Sequence, residues 1–211
     1  MSGHVVLLGD SIFDNHSYAE GQPDVLGHLR GMLPSGWKAT LLAVDGNTTY
    51  NLEGQVDRIP SDASHLVVSI GGNNALMNSD ILDQRVPSTR DALLRFALRA
   101  ASFEADYGAA LTNVLATGKP TTVCTIYNGD MPDEMGVAAR TALTLFNDTI
   151  LRVAFAHGLP VIDLRLICTE ASDYIHSIEP SGPGGRKIAH AIAASLGLGA
   201  GEVRQTRVYA G

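Results

Sequence analysis

Apolar runs of strand length recur along the chain, and none of them alternates cleanly with polar residues. They are His4–Gly9, Ala39–Val44, His65–Gly72, Thr121–Tyr127 and Leu159–Leu164. Runs of this kind, rich in Val, Ile, Leu and Thr, read as strands covered on both faces. The segments between them carry helical spacing. Val25, Leu26, Leu29 and Leu33 form one stripe, and a long periodic segment opens at Ser88 and stops at Gly118. Two more stop at Gly158 and Gly197. Serine before a helix and glycine after it are ordinary caps. Strands alternating with helices predict a parallel sheet with helices on both faces. The segment from Asn74 to Arg90 is the expected long excursion, and residues 197–211 have no clear period and read as a loosely held tail.

Length and composition add limits rather than detail. A chain of 211 residues suits one domain over 1–211 with a full core, and 22 glycines with 9 prolines fit many tight connections. The net charge of −7, with no basic run, argues against nucleic acid or an anionic membrane as partner. The first ten residues lack the basic and apolar segments of a signal peptide, so a cytoplasmic setting is expected. Cys124 and Cys168 sit in or beside apolar runs and read as small buried thiols.

In a parallel sheet, ligands collect beyond the carboxyl ends of the strands. The residues there are Gly9-Asp10-Ser11, Asp45-Gly46-Asn47, Gly71-Gly72-Asn73-Asn74 and Asn128-Gly129-Asp130. Ser11 stands where a nucleophile belongs, although a serine there also serves as a helix cap. Asn73 offers an amide donor at the same end of the sheet, and Gly46 a backbone N–H. With the Ser11 N–H they compose a candidate oxyanion site. No Walker pattern or GxGxxG is present, and Asp10 would repel a phosphate, which argues against a nucleotide or flavin site.

"LLGDSIFDN", "DGNTT", "SIGGNNAL" and "DYIHSIEPSGPGGRKIA" together resemble the four blocks of the SGNH/GDSL hydrolases. That resemblance implies a flavodoxin-like three-layer α/β/α sandwich on a five-stranded parallel sheet. It also implies a serine esterase or acyl-hydrolase, expected to act without cofactor or metal on a small-molecule ester or thioester. It makes Ser11 the nucleophile, with Gly46 and Asn73 in the oxyanion hole. Asp10 and Asn74 are the expected substrate contacts, Asn74 replacing the family's usual aspartate. "GDSIF" lacks the second glycine of an α/β-hydrolase elbow.

The last block fits the pattern in two ways. Read literally, Asp173-Tyr174-Ile175-His176 supplies the acid and the base. Aligned on the following helix without a gap, Glu179 takes the place of the histidine and His176 that of the aspartate. An imidazole has the better ordinary pKa for a base, so His176 is the expected base, oriented by Asp173 or Glu179. A metal held by Asp173, His176 and Glu179 would need a tighter set than this spacing offers. Two other outcomes share the same residues. One is acyl transfer through the same acyl-enzyme, and the other is a binding protein whose triad has decayed.

Overall fold

The computed structural model describes residues 2–199 and 205–209. Five parallel strands form the central sheet: β1 (Gly3–Gly9), β2 (Trp37–Leu41), β3 (His65–Ser69), β4 (Thr121–Cys124) and β5 (Val161–Ile162). Their order is β2-β1-β3-β4-β5, the flavodoxin-like arrangement. The helices are α1 (Val25–Met32), α2 (Leu52–Val56), α3 (Gly72–Met77), α4 (Thr89–Leu115), α5 (Glu134–Ala156) and α6 (Gly182–Ser195).

The unbroken apolar run of β1 is explained by two cores, one on each face. Val5 and Leu7 pack with Val25 and Leu29 of α1 and Ile188 and Ile192 of α6. Val6 and Leu8 point the other way, toward Phe103, Tyr107 and Leu111 of α4 and Phe146 and Ile150 of α5. All four strand residues are fully buried, each worth about 1.5–3 kcal/mol of apolar transfer.

Several boundaries differ from the sequence expectation. The pairing of β2 ends at Leu41, three residues early, because the N–H groups of Leu42 and Ala43 both turn to the Leu7 carbonyl. β3 ends at Ser69, since Gly72 already opens α3. β4 stops at Cys124 and β5 spans two residues. α5 begins at Glu134 because Asp133 caps it, its side chain accepting from the Gly136 N–H. Ser88 and Ser181 cap α4 and α6 in the same way. The expected excursion contains α3 and a short 3-10 turn, Ser79–Asp83. Of the expected loose tail, residues 200–204 and 210–211 lie outside the described residues, while 205–209 are irregular and exposed. Cys124 and Cys168 are free and buried.

An antiparallel hairpin, β6 (Tyr174–Ile175) with β7 (Glu179–Pro180), has no counterpart in the sequence reading. His176 and Ser177 turn it with φ of +50° and +68°, a left-handed conformation uncommon for residues with a side chain.

Candidate active site

Strand order reverses between β1 and β3, and the residues that follow these two strands form the site. Gly9 ends β1 with φ of +138°, and a Cβ there would stand 1.8 Å from the Ser69 carbonyl oxygen. Only glycine lets β1 and β3 approach this closely at the tip. The Asp10 N–H then donates to Ser69 (3.2 Å), and the Phe13 and Asp14 N–H groups close a tight turn onto the Asp10 carbonyl. Ser11 rides on that turn. Its N–H has no partner among the described residues, and neither has that of Gly46.

Ser11, Asp10, Asn73 and Glu179 line one cavity of about 140 Å³. Its walls are mostly apolar and include Ile12, Leu76, Ile126, Leu143 and Phe146, with Arg99 and Arg140 also present. The segment after Asn73 and the stretch Tyr127–Met131 both contribute to it. Asn73 lies in the first turn of α3, and one of its amide hydrogens is donated to the Asn47 carbonyl (2.9 Å). The other remains free for a ligand.

The last block is where the structure departs from the preferred reading. Glu179, not His176, stands beside Ser11. Burial raises the Glu179 pKa; the Ser11 hydroxyl and the His176 charge oppose that rise, and Asp45 adds to it. Oε2 of Glu179 is buried without a hydrogen-bond partner. His176 sits at the exposed hairpin turn, outside the cavity wall, with its ring edge-on to Tyr18 at 6.4 Å. Asp173 is fully buried and turned to α6, where it accepts from Lys187 Nζ (2.8 Å) and from the Glu170 N–H (3.0 Å). It therefore braces a helix and orients no imidazole. The physical reason is the hairpin. The three residues between Ile175 and Glu179 fold as a turn and carry His176 outward.

Two further expectations change. Asn74 stays off the cavity wall, because its amide accepts from the Thr49 N–H (3.1 Å) and donates to Thr49 Oγ1 (3.0 Å). It clamps two loops and is not placed as a substrate contact. Asp10 lines the cavity but is itself buried, with Oδ1 accepting from the Ile12 N–H (3.2 Å) and Oδ2 unpartnered. Among the described residues, no group of three or more His, Cys, Asp and Glu side chains is placed to hold a metal ion.

Burial pushes the Asp10 pKa up to about 7; the Ile12 amide opposes this and Glu179 adds to it. The folded state therefore holds a proton that the unfolded chain releases near 3.8. Folding stability is whole below that value and falls as pH rises toward 7. Asp10→Asn removes this dependence. Urea melts at pH 5 and pH 8 are expected to show the stability difference shifting toward the variant by about 2–3 kcal/mol at the higher pH. An unchanged difference would remove the protonated Asp10.

Asn15 and Gln55, which sequence reasoning did not single out, hold the site together, with Tyr127 beside them. Asn15 is fully buried; its Nδ2 donates to the Pro180 carbonyl (3.0 Å) and its Oδ1 accepts from the Val25 N–H (2.9 Å). It ties the Ser11 turn to β7, and so to Glu179. The Tyr127 hydroxyl donates to the Ile178 carbonyl (2.6 Å) and secures the hairpin from the other side. Gln55 is the second, with its side chain against Gly9.

The profile of the GDSL-like Lipase/Acylhydrolase family matches residues 7–184. The chain belongs to this family. As a GDSL-like lipase/acylhydrolase it is an ester-hydrolysing enzyme, and its five-stranded parallel sheet with surrounding helices is the GDSL fold. No curated protein sequence matches it. Similar solved structures include an extracellular lipase from Streptomyces rimosus, at 16% identity and a TM-score of 0.66, covering 92% of this chain and 99% of that one. A phospholipase A1 from Streptomyces albidoflavus is 17% identical with a TM-score of 0.67, covering 93% of this chain and 99% of that one. A variant of an acetyl xylan esterase from Geobacillus stearothermophilus is 16% identical with a TM-score of 0.67, covering 96% and 99%. One of these similar structures is that of an extracellular lipase, so the likeness carries no cytoplasmic placement. No helix among the described residues is long and apolar enough to cross a membrane.

Proposed function

We propose that the protein hydrolyses esters of aliphatic acids through an acyl-enzyme on Ser11, with Glu179 as the proton acceptor. The observation that carries this reading is the Glu179 carboxylate beside the Ser11 hydroxyl on one apolar cavity. Ser11 Oγ bonds to the ester carbonyl carbon as its proton passes to Glu179. Collapse of the tetrahedral intermediate breaks the ester C–O bond, and Glu179 returns the proton to the leaving alkoxide. Water then repeats the sequence on the acyl-enzyme.

A carboxylate base suits this cavity. Proton transfer to a neutral histidine creates an ion pair, which an apolar wall disfavours. Transfer to Glu179 only moves one negative charge, from the carboxylate to the oxyanion. The Ser11 N–H, the Gly46 N–H and the free Asn73 amide hydrogen are the donors that receive it, each typically worth about 3–4 kcal/mol. Burial raises the Glu179 pKa and so makes it a stronger base than an exposed glutamate.

The similar solved structures include a lipase, a phospholipase A1 and an acetyl xylan esterase. The apolar walls favour an alkyl chain over a sugar acetate. A p-nitrophenyl ester series from acetate to decanoate is expected to give kcat/KM rising by about tenfold or more before it levels, since each buried methylene contributes about 0.8 kcal/mol. A fluorophosphonate is expected to label Ser11 in the folded protein and to leave Ser11→Ala unlabelled. No adduct and no turnover would leave a binding protein in place of the enzyme.

A further inference from the structure

We propose that Gln55 is a positioning residue for the oxyanion donors, acting through a hydrogen-bonded chain that joins all three loops of the site. The proposal rests on the reading of Ser11, Gly46 and Asn73 as those donors.

The ladder of β2 with β1 ends at Leu41, and beyond it the Val44 N–H still reaches the Gly9 carbonyl (3.1 Å) while the Gly9 N–H is left without a backbone partner. The Gln55 side chain, 1% exposed, supplies that partner. The Gly9 N–H donates to Gln55 Oε1 (2.7 Å), and Gln55 Nε2 donates back to the Gly9 carbonyl (2.7 Å). A primary amide thus supplies the acceptor a strand peptide would give and shares the Gly9 carbonyl with Val44, two residues before Ser11. The second Nε2 hydrogen goes to Asn47 Oδ1 (2.9 Å), on the residue after Gly46. The Asn47 carbonyl in turn accepts from Asn73 Nδ2 (2.9 Å).

Gln55 therefore uses every hydrogen-bonding group it has except one lone pair, and each bond ends within two residues of a donor of the site. The Ser11 turn, the Gly46 loop and the Asn73 amide are fixed relative to one another by one buried side chain. Donors preorganised in this way need not rearrange when charge develops on the substrate oxygen. A residue that only completed the sheet edge would need Gly9 alone, and the bond to Asn47 would be dispensable.

Two variants separate these roles. Gln55→Glu keeps an acceptor for the Gly9 N–H and loses both donated bonds. Asn47→Ala keeps the Gly9 pair and the Asn73 acceptor and loses only the link to Gln55. Both are assayed on a p-nitrophenyl ester, with melting temperature, kcat, KM and the Kd of an alkyl boronic acid, whose tetrahedral adduct stands for the intermediate. Expected are a fall in kcat of about 10- to 100-fold for Gln55→Glu and about 5- to 20-fold for Asn47→Ala, with KM within about twofold. The boronic acid Kd rises in step with the loss of kcat. Unchanged kcat and boronate affinity in Asn47→Ala overturns the proposal, and that variant decides alone if Gln55→Glu does not fold. Asn73→Ala is measured beside them. Full activity there overturns the oxyanion reading itself and the role of Gln55 with it, whereas a large loss in Asn73→Ala with an unaffected Asn47→Ala overturns only the latter.

Discussion

Glu179→Gln is expected to lower kcat about a thousand-fold while the protein stays folded and still binds ester, since general-base assistance is worth 10²–10⁴-fold. That corresponds to about 4 kcal/mol of transition-state stabilisation. The substitution keeps the shape of the side chain and removes its capacity to take a proton. The pH–rate profile of the unaltered protein is expected to rise through a limb that lies above the ordinary glutamate pKa, because burial raises that of Glu179. The limb disappears in the variant. His176→Ala has the opposite signature. The imidazole holds the Glu179 pKa down from the exposed turn, so its removal shifts the limb to higher pH and leaves most of kcat in place. A His176→Ala protein that is inactive, beside a Glu179→Gln protein that retains activity, would return the base to the histidine.

The second large effect is on folding. Gly9→Ala is expected to cost more than about 4 kcal/mol in urea denaturation, or to yield no folded protein. The added Cβ meets the Ser69 carbonyl oxygen at 1.8 Å, and φ of +138° is a conformation only glycine adopts easily. Both strands are central to the sheet, so neither can move aside without opening a core. Gly21→Ala is the control. Its φ is +81°, but a Cβ there meets nothing within 4 Å, and the expected cost is about 1–2 kcal/mol. Equal effects at the two sites would show that backbone conformation, and not the contact with β3, sets the requirement at Gly9.

The sheet was legible because both of its faces are covered. Val5 to Leu8 had to be apolar at every position, and that leaves a plain mark in the chain. The position of Ser11 followed from the same run, as the first side chains beyond it are the polar ones. The last block was legible only as a choice between two alignments. Three residues between Ile175 and Glu179 decide it, and their turn relies on His176 and Ser177 at positive φ, for which neither residue gives a signal. Asn74 looked like a ligand contact for want of any sign that Thr49, 25 residues away, takes both ends of its amide. Gln55 lies in a short helix of weak pattern, and its partners Gly9 and Asn47 belong to two other blocks. Bonds of that range have no period in the sequence.

Asn15 has a bearing on how the molecule comes into being. Its amide bonds to Pro180, 165 residues further on. A ribosome adding about 5–20 residues per second needs roughly 10–30 s to cover that interval. Throughout it the serine turn has been made, but its carboxylate neighbour has not. A nascent chain short of Pro180 is expected to carry an incomplete dyad, and esterase activity to emerge only after Pro180 has been added.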